Sequence, residues 1–265
     1  MKKLFFLGLV LSLAASAFAG GGGAKKDAAS NSLDRIKSAG ELVIGVEGTY
    51  PPYTYHDAAT NKLVGYDVEV AEAIATKLGV KAKFVESRWD SLIIGLDSGL
   101  WDVVINEVGI TPSRKEKYDY SIPYSYAHGV VIVRNDNNSI KSFEDLNGKS
   151  SAQTVTSNWA QLAERYGAGL IGTDGFNESV QLVIDRRADM TINDDVTFAD
   201  YKKEHPESPT KIAVTSTDVS ECAVILPKNQ NELRDAIDKA LSELSADGTL
   251  TNLSLKYLNI DVSKR

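Results

Sequence analysis

The chain has 265 residues, enough for one large domain or two modest ones, with ordinary hydrophobic (43%) and charged (25%) fractions. Its formal charge is −7, two units more negative once Lys2 and Lys3 leave with a cleaved leader, and it has no basic run; nucleic acid and anionic membrane are therefore excluded as expected partners. Cys222 is the only cysteine, so no intrachain disulfide exists, and His56, His128 and His205 show no ligand spacing; no metal or cofactor is expected.

The first twenty residues are MKKLFFLGLVLSLAASAFAG. Lys2 and Lys3 form a basic region, Leu4 to Leu13 an apolar core, and Ala17-Phe18-Ala19 a small-x-small cleavage site. Residues 1–19 are thus expected to be a secretory signal peptide. The apolar run is too short to span a bilayer, and no second hydrophobic segment follows. No cysteine lies at the cleavage site, so a lipid anchor is not expected and a periplasmic location is. Residues 20–36, Gly-, Ala- and Lys-rich at first, are expected to be a disordered spacer.

Strand-like and helix-like segments then alternate. LVIGV predicts a strand. Asp67 can cap a helix that carries Val70, Ile74 and Leu78 on one face and stops at Gly79. KAKFVE predicts a strand and WDSLIIGLDSG a short amphipathic helix. DVVIN, beginning at Asp102, is a β-branched run that predicts a buried strand. It leads into GITPSR, where Gly109 and Pro112 break regularity and leave Arg114 in a loop past a strand end. This order implies a parallel sheet with helices on both faces. After Tyr124, GVVIVRN predicts a strand, and Ser142 with Asp145 resembles a capping pair. SSAQTV, MTIND and KIAV predict strands; SNWAQLAERYG and FNESVQLVIDRRA predict helices. ECAVILP predicts a strand with Cys222 as a small buried hydrophobe. Two amphipathic helices, ELRDAIDKALSELSADG and TLTNLSLKYL, close the chain. Periodicity alone allows one continuous sheet.

Several residues have the chemistry of a binding site. In open α/β sheets, ligands bind beyond strand ends. Arg114 there offers a rigid fork of donors matched to a carboxylate. Thr156, Ser157 and Asn158 lie between a strand and a helix, where free N–H groups and the helix dipole favour an anion; Ser157 alternatively only caps that helix. Asp194 follows the strand MTIN, and Asp195 is expected to cap the next helix, or both are caps. Tyr50 and Tyr53 lie in the loop TYPPY and Trp89 begins a helix; core packing is the alternative for each. Glu47 ends the first strand.

The ordered blocks GELVIGVEGTYPPYTY, LVGYDVEVAEAIATKLG, WDSLIIGLDSGLWDVVI, DVVINEVGITPSR, GKSSAQTVTSNW, RADMTINDD and ECAVILPKNQNELRDAIDKAL resemble the periplasmic amino-acid-binding proteins of ABC importers, solute-binding protein family 3. AQTVTSNW looks most like the L-cystine-binding branch. The resemblance implies an α/β, two-lobed type II periplasmic binding protein fold with the ligand cleft between two hinge-linked domains. Lobe 1 would be 37–123 and 223–265, the hinge strands 124–128 and 218–222, and lobe 2 129–217. It implies that Arg114, the Gly109 N–H and the Thr156-Ser157-Asn158 segment take a carboxylate and that Asp194 takes an ammonium. Tyr50 and Trp89 would sandwich the ligand with Tyr53 nearby, and Glu47, Asn106, Glu107 and Thr154 would face its side chain. The chain departs from the branch at Glu107, where relatives often carry Gln, and at Gly109, where they often carry a hydroxyl. The implied function is capture of a polar amino acid, L-cystine first, and delivery to a membrane permease by a monomer without catalysis. The alternatives are a dehydratase of a cyclic acid using Glu47 or Glu107 as general acid or base, or a binder of glutamine, arginine or histidine.

Overall fold

The computed structural model describes residues 32–265. The expected signal peptide and the first part of the expected spacer lie outside the described residues. The last part of that spacer is not disordered. Helix α1 (Ser32–Ala39) begins there, because Ile36 is fully buried in the core and Leu33 packs against it.

The first half of the chain runs β1 (Glu41–Val46), β2 (Thr49–Tyr50), β3 (Thr54–His56), β4 (Leu63–Val64), α2 (Tyr66–Leu78), β5 (Lys81–Glu86), α3 (Trp89–Asp97), β6 (Val103–Val104), α4 (Pro112–Lys117) and β7 (Tyr118–Arg134). The second half runs β8 (Ser150–Gln153), α5 (Asn158–Arg165), β9 (Gly169–Gly172), α6 (Phe176–Ile184), β10 (Thr191–Asp194), α7 (Asp195–Glu204), β11 (Thr210–Pro227), α8 (Asn231–Ala246) and α9 (Thr249–Leu258).

The main sheet has the order β10-β7-β11-β6-β1-β5. Strand β1 lies parallel to β5 and β6, as the βαβ reading predicts. The sheet as a whole is mixed, because β7 and β11 pair antiparallel along their length and β10 pairs antiparallel with β7. KIAV and ECAVILP are therefore one strand, not two. Register shifts between Ile212 and Val214 and between Thr215 and Val219 let one long strand follow its partner. DVVIN contributes only Val103 and Val104 as strand. Ile105 N–H still bonds Gly45 O, but Glu107 at φ +48° turns the chain away.

The fold has two lobes. In the first, α2 and α8 pack on the sheet through Leu42, Ile44, Ile74, Ile237 and Leu241. Trp89, Leu92, Trp101 and Ile225 form a smaller core there. In the second, Val131, Val133, Leu146, Met190 and Ile192 make one core, and Ala152 and Val183 anchor another.

One loop is tied to a helix start by backbone bonds. Helix α2 stops at left-handed Gly79, as expected, but its start is not capped by Asp67. The N-cap is Gly65, and the Asp67 carboxylate is used elsewhere. Tyr66 N–H donates to Pro52 O at 3.1 Å and Asp67 N–H to Tyr53 O at 3.0 Å, which ties the TYPPY loop to the helix. Gly65 has φ +132°, and a Cβ on it would meet Tyr53 O at 2.1 Å. Gly65→Ala should cost about 1–3 kcal/mol through this backbone clash and strain. Thermal unfolding checks it: the midpoint should drop by several degrees, and an unchanged midpoint would mean the loop can shift freely.

Candidate functional site

The strand ends of the first lobe are cross-linked by one amide. Asn106 Oδ1 accepts the Glu47 N–H at 2.8 Å and the Thr54 hydroxyl at 2.9 Å, while Asn106 Nδ2 donates to Glu47 Oε2 at 2.8 Å. Burial pushes the Glu47 carboxyl up to about 7; the Asn106 bond opposes this and Asp90 adds to it.

Arg114 is not in a loop. Pro112 opens the short helix α4, and the Thr111 hydroxyl caps it by accepting the Arg114 N–H at 3.3 Å. The guanidinium is buried, 5.3 Å from the centre of the Trp89 ring. It donates to Gly109 O and to Thr156 O, both at 2.9 Å. Burial lowers its pKa, but a guanidinium keeps its charge. The bond to Thr156 crosses from the first lobe to the second. Asp90 crosses beside it, accepting the Thr156 hydroxyl at 2.6 Å and its N–H at 3.3 Å. Arg88 pairs with Asp174 further out, where both side chains are exposed.

On the second lobe, Ser157 caps α5 by accepting the Ala160 N–H at 2.9 Å. Asn158, the first residue of α5, packs against Gly109, where a Cβ would lie 3.1 Å from its amide carbon. A glycine at 109 lets the strand end approach α5 this closely. Asp194, not Asp195, caps α7: its carboxylate accepts from the Thr197 N–H (2.6 Å) and hydroxyl (2.8 Å). The Tyr53 and Tyr50 hydroxyls lie 3.1 and 3.0 Å from it, and Tyr50 can donate instead to Asn193 Oδ1 at 2.9 Å. Asp195 is the first residue of the helix and accepts the His128 N–H at 3.1 Å. Burial raises the pKa of Asp194 while its bonds to Thr197 and Tyr50 lower it.

These residues surround a cavity of about 40 Å³ between the lobes. Glu47, Tyr50, Trp89, Glu107, Thr154, Ser157 and Asn158 line it, together with Trp159, Phe176 and Asn193, which the sequence did not single out. Asn106, Gly109, Arg114, Thr156 and Asp194 stand one contact behind the wall. Tyr53 is fully buried in the first lobe's core and reaches the site only through its hydroxyl. The Trp89 indole N–H is buried without a partner. Asp67, Asp90 and Thr197 also belong to the site; Asp67 has the sequence position of a cap, and the bonds of Asp67 and Asp90 are long-range and leave no local signal. A larger hollow of about 720 Å³ shares Tyr50, Phe176 and Thr197 with the site but runs outward past His56, His205 and Lys256.

Residues 42–260 match the bacterial extracellular solute-binding proteins, family 3. The chain belongs to that family. It is 42% identical to the L-cystine-binding protein TcyA of Bacillus subtilis (strain 168), over 99% of each chain. Two solved structures are similar. The L-cystine solute receptor of Neisseria gonorrhoeae in the unliganded open conformation is 41% identical with a TM-score of 0.60, covering 88% of this chain and 99% of that one. An ancestral arginine-binding protein bound to arginine is 36% identical with a TM-score of 0.76, covering 82% and 98%. The two-lobed fold and the likeness to the cystine branch agree with the sequence reading. Family members are extracytoplasmic and bind amino acids for ABC permeases. No helix among the described residues is long and apolar enough to cross a membrane.

Cys222 is buried where β11 crosses β7, paired with Ser125. Burial raises its thiol pKa first, and Glu107, Asp194 and Asp67 add to the shift. A thiol held protonated is a poor nucleophile. Native protein should therefore resist Ellman's reagent at mildly alkaline pH and react fully in guanidinium chloride. Rapid native labelling would contradict the burial.

Proposed function

We propose that this chain captures a polar amino acid, L-cystine first, between its lobes and delivers it to an ABC permease from the periplasm. The observation that carries the reading is one interlobe cavity with Glu47 and Glu107 in its wall and Arg114 and Asp194 directly behind it, against Trp89 and Tyr50. A zwitterion needs that combination.

Arg114 has five N–H donors, of which two bonds to carbonyls occupy two. The remaining fork and the N-terminus of α5 at Ser157 and Asn158 suit an α-carboxylate. Asp194 suits the α-ammonium, with the Tyr50 ring beside it. Glu47, held by Asn106, suits a distal cation. L-Cystine offers a second ammonium there, and TcyA is named for binding it. Arginine is the second reading, favoured by the same acid and by the ancestral arginine-binding neighbour. The relatives are named as binding proteins, and no bond of the ligand needs to be broken in this scheme.

The lobes would be 37–123 with 223–265, and 129–217, hinged at 124–128 and 218–222 in a monomer after removal of residues 1–19. We read the structure as the closed form. Arg114 to Thr156, Asp90 to Thr156 and Tyr50 to Asn193 all bridge the cleft. The receptor in the open conformation also superposes less well than the arginine-bound protein despite its higher identity. Opening by hinge rotation would break these bonds together.

Arg114→Ala should abolish binding of every amino acid, and Arg114→Lys nearly so, because a point charge lacks the fork. Calorimetry giving near-wild-type affinity for either would refute the carboxylate role. Asp194→Asn should weaken amino acids by about 3–5 kcal/mol while leaving deaminated analogues far less affected. A larger effect from Asp195→Asn would move the ammonium site by one residue. Titration with cystine and again after adding reductant should show tight binding lost with the distal contacts. Reductant has no disulfide to cleave in the protein. Equal affinity for cysteine, or tighter arginine, would overturn the cystine reading and leave the amino-acid reading standing.

A further inference from the structure

Two buried carboxylates sit back to back at the cleft floor. Asp67, near the start of α2, is fully buried, and Glu107, just past β6, is 7% exposed. Asp67 Oδ2 accepts the Glu107 N–H at 2.7 Å, and Asp67 Oδ1 accepts the Tyr124 hydroxyl at 2.9 Å. Those bonds hold Glu107 at φ +48°, a left-handed conformation that a glutamate rarely adopts. Glu107 Oε2 accepts the Ser125 hydroxyl at 3.1 Å. Glu107 Oε1 is buried and accepts from no N–H or O–H group, the weakly donating Cys222 thiol being the one donor that faces this carboxyl, and the residue lines the cavity.

The surroundings supply no positive charge. From β7 come Tyr124 and Ser125; from β11, Cys222; from β10, Asp194; from α2, Tyr66; and from the loop after β2, Tyr53. Neither carboxylate forms an ion pair among the described residues, and Arg114 is committed to Gly109 O and Thr156 O. Two like charges this close and dry cannot both persist without a cation.

We propose that Asp67 and Glu107 hold one proton between them until a ligand with a distal ammonium, as L-cystine has, arrives, and that this second ammonium then takes Glu107 Oε1 and drives that proton into solvent. This rests on the amino-acid-binding reading and adds a linkage to it. One N–H⁺···O contact forms, one carboxyl O–H bond is lost, and the proton goes to buffer. Burial raises the carboxyls of the pair, and the charge of Asp194 raises both further. An ammonium at Oε1 would bring the pair back down. A group whose pKa falls on binding favours binding above its free-state pKa, and that advantage is lost as pH falls. Affinity should therefore decline as pH falls below the raised range of the free pair, approaching tenfold per pH unit. The ligand's own α-amino and α-carboxyl groups both stay charged between about pH 5 and 6.5, so the ligand itself does not titrate in that window.

The test is calorimetric titration of L-cystine into the whole mature chain at about pH 6, in buffers of different ionisation enthalpy. The wild type should release close to one proton per ligand. Glu47 also titrates high in this cleft, so Glu47→Gln is the control. Release that persists in Glu47→Gln and vanishes in Glu107→Gln supports the proposal; release that vanishes in Glu47→Gln and persists in Glu107→Gln overturns it. If Glu107→Gln does not fold, Asp67→Asn replaces it and should also reduce release. Cystine binding with no buffer dependence in the wild type overturns the linkage alone. No binding of cystine or any other amino acid would instead overturn the reading beneath it.

Discussion

The antiparallel pairing of β7 with β11 is the constraint on which the rest depends. These two strands run through both lobes, with Ala127 opposite Ser220 and Ser125 opposite Cys222 in the middle. The neighbouring strands take their places from this pair. β10 joins at Gly129 opposite Asp194, which sets the height at which that carboxylate stands. β6 joins on the other side at Val104 opposite Ile225, which sets where Asn106 and Glu107 emerge. The acids of the site are therefore brought together by register, from segments about ninety residues apart in sequence, not by any local motif.

Register explains position but not electrostatics. The cleft region gathers Glu47, Asp67, Asp90, Glu107 and Asp194, with Arg114 as its buried guanidinium and no ion pair among them. Each acid is tolerated because donors are supplied. Asp194 takes the N–H and hydroxyl of Thr197 and two tyrosines, Asp67 takes a tyrosine and a backbone N–H, and Glu47 takes an amide. The exposed Arg88–Asp174 pair at the mouth contributes little by comparison, because both partners stay in water. What distinguishes the acids is that Glu107 alone keeps a buried oxygen without an N–H or O–H donor.

Much of this was legible in the sequence, and the gaps have physical causes. The helix faces of α2 and α8 followed from their 3.6-residue spacing, and the Gly79 stop followed from its left-handed requirement. The join of KIAV to ECAVILP was hidden by the polar run TSTDVSE, which periodicity reads as a break. Those residues remain in strand because β7 supplies partners along most of their length. Arg114 was placed at the right end of the right strand, but a loop was expected where Thr111 and Pro112 start a helix. Both are helix-start residues, so that signal was present and was outweighed by Gly109. Asp194 and Asp195 could not be told apart locally, since either can cap; only the Thr197 N–H and the two tyrosines decide it. Asp67 shows the limit most clearly. Its sequence position is that of a cap, yet its partners, Tyr124 and the Glu107 N–H, are forty residues and more away.

Selectivity has to arise from what the closed cleft leaves unmet. Arg114 already donates to Thr156 O, and Asp194 is already within reach of four donors, so a ligand gains at these atoms only the difference between two sets of bonds. Such exchanges favour every amino acid alike, because each presents the same carboxylate and ammonium, and so they do not choose among them. A buried polar atom with no partner behaves differently. It carries a desolvation penalty that only a ligand with the matching group can remove, and a site built that way rejects ligands lacking the group strongly. The Trp89 indole N–H and Glu107 Oε1 are two such atoms at this cavity, one a donor and one an acceptor. A ligand that presents an anion to the first and a cation to the second relieves both. On the proposed reading, discrimination among amino acids would be set at these two atoms, while the arginine and Asp194 would set only that the ligand is an amino acid.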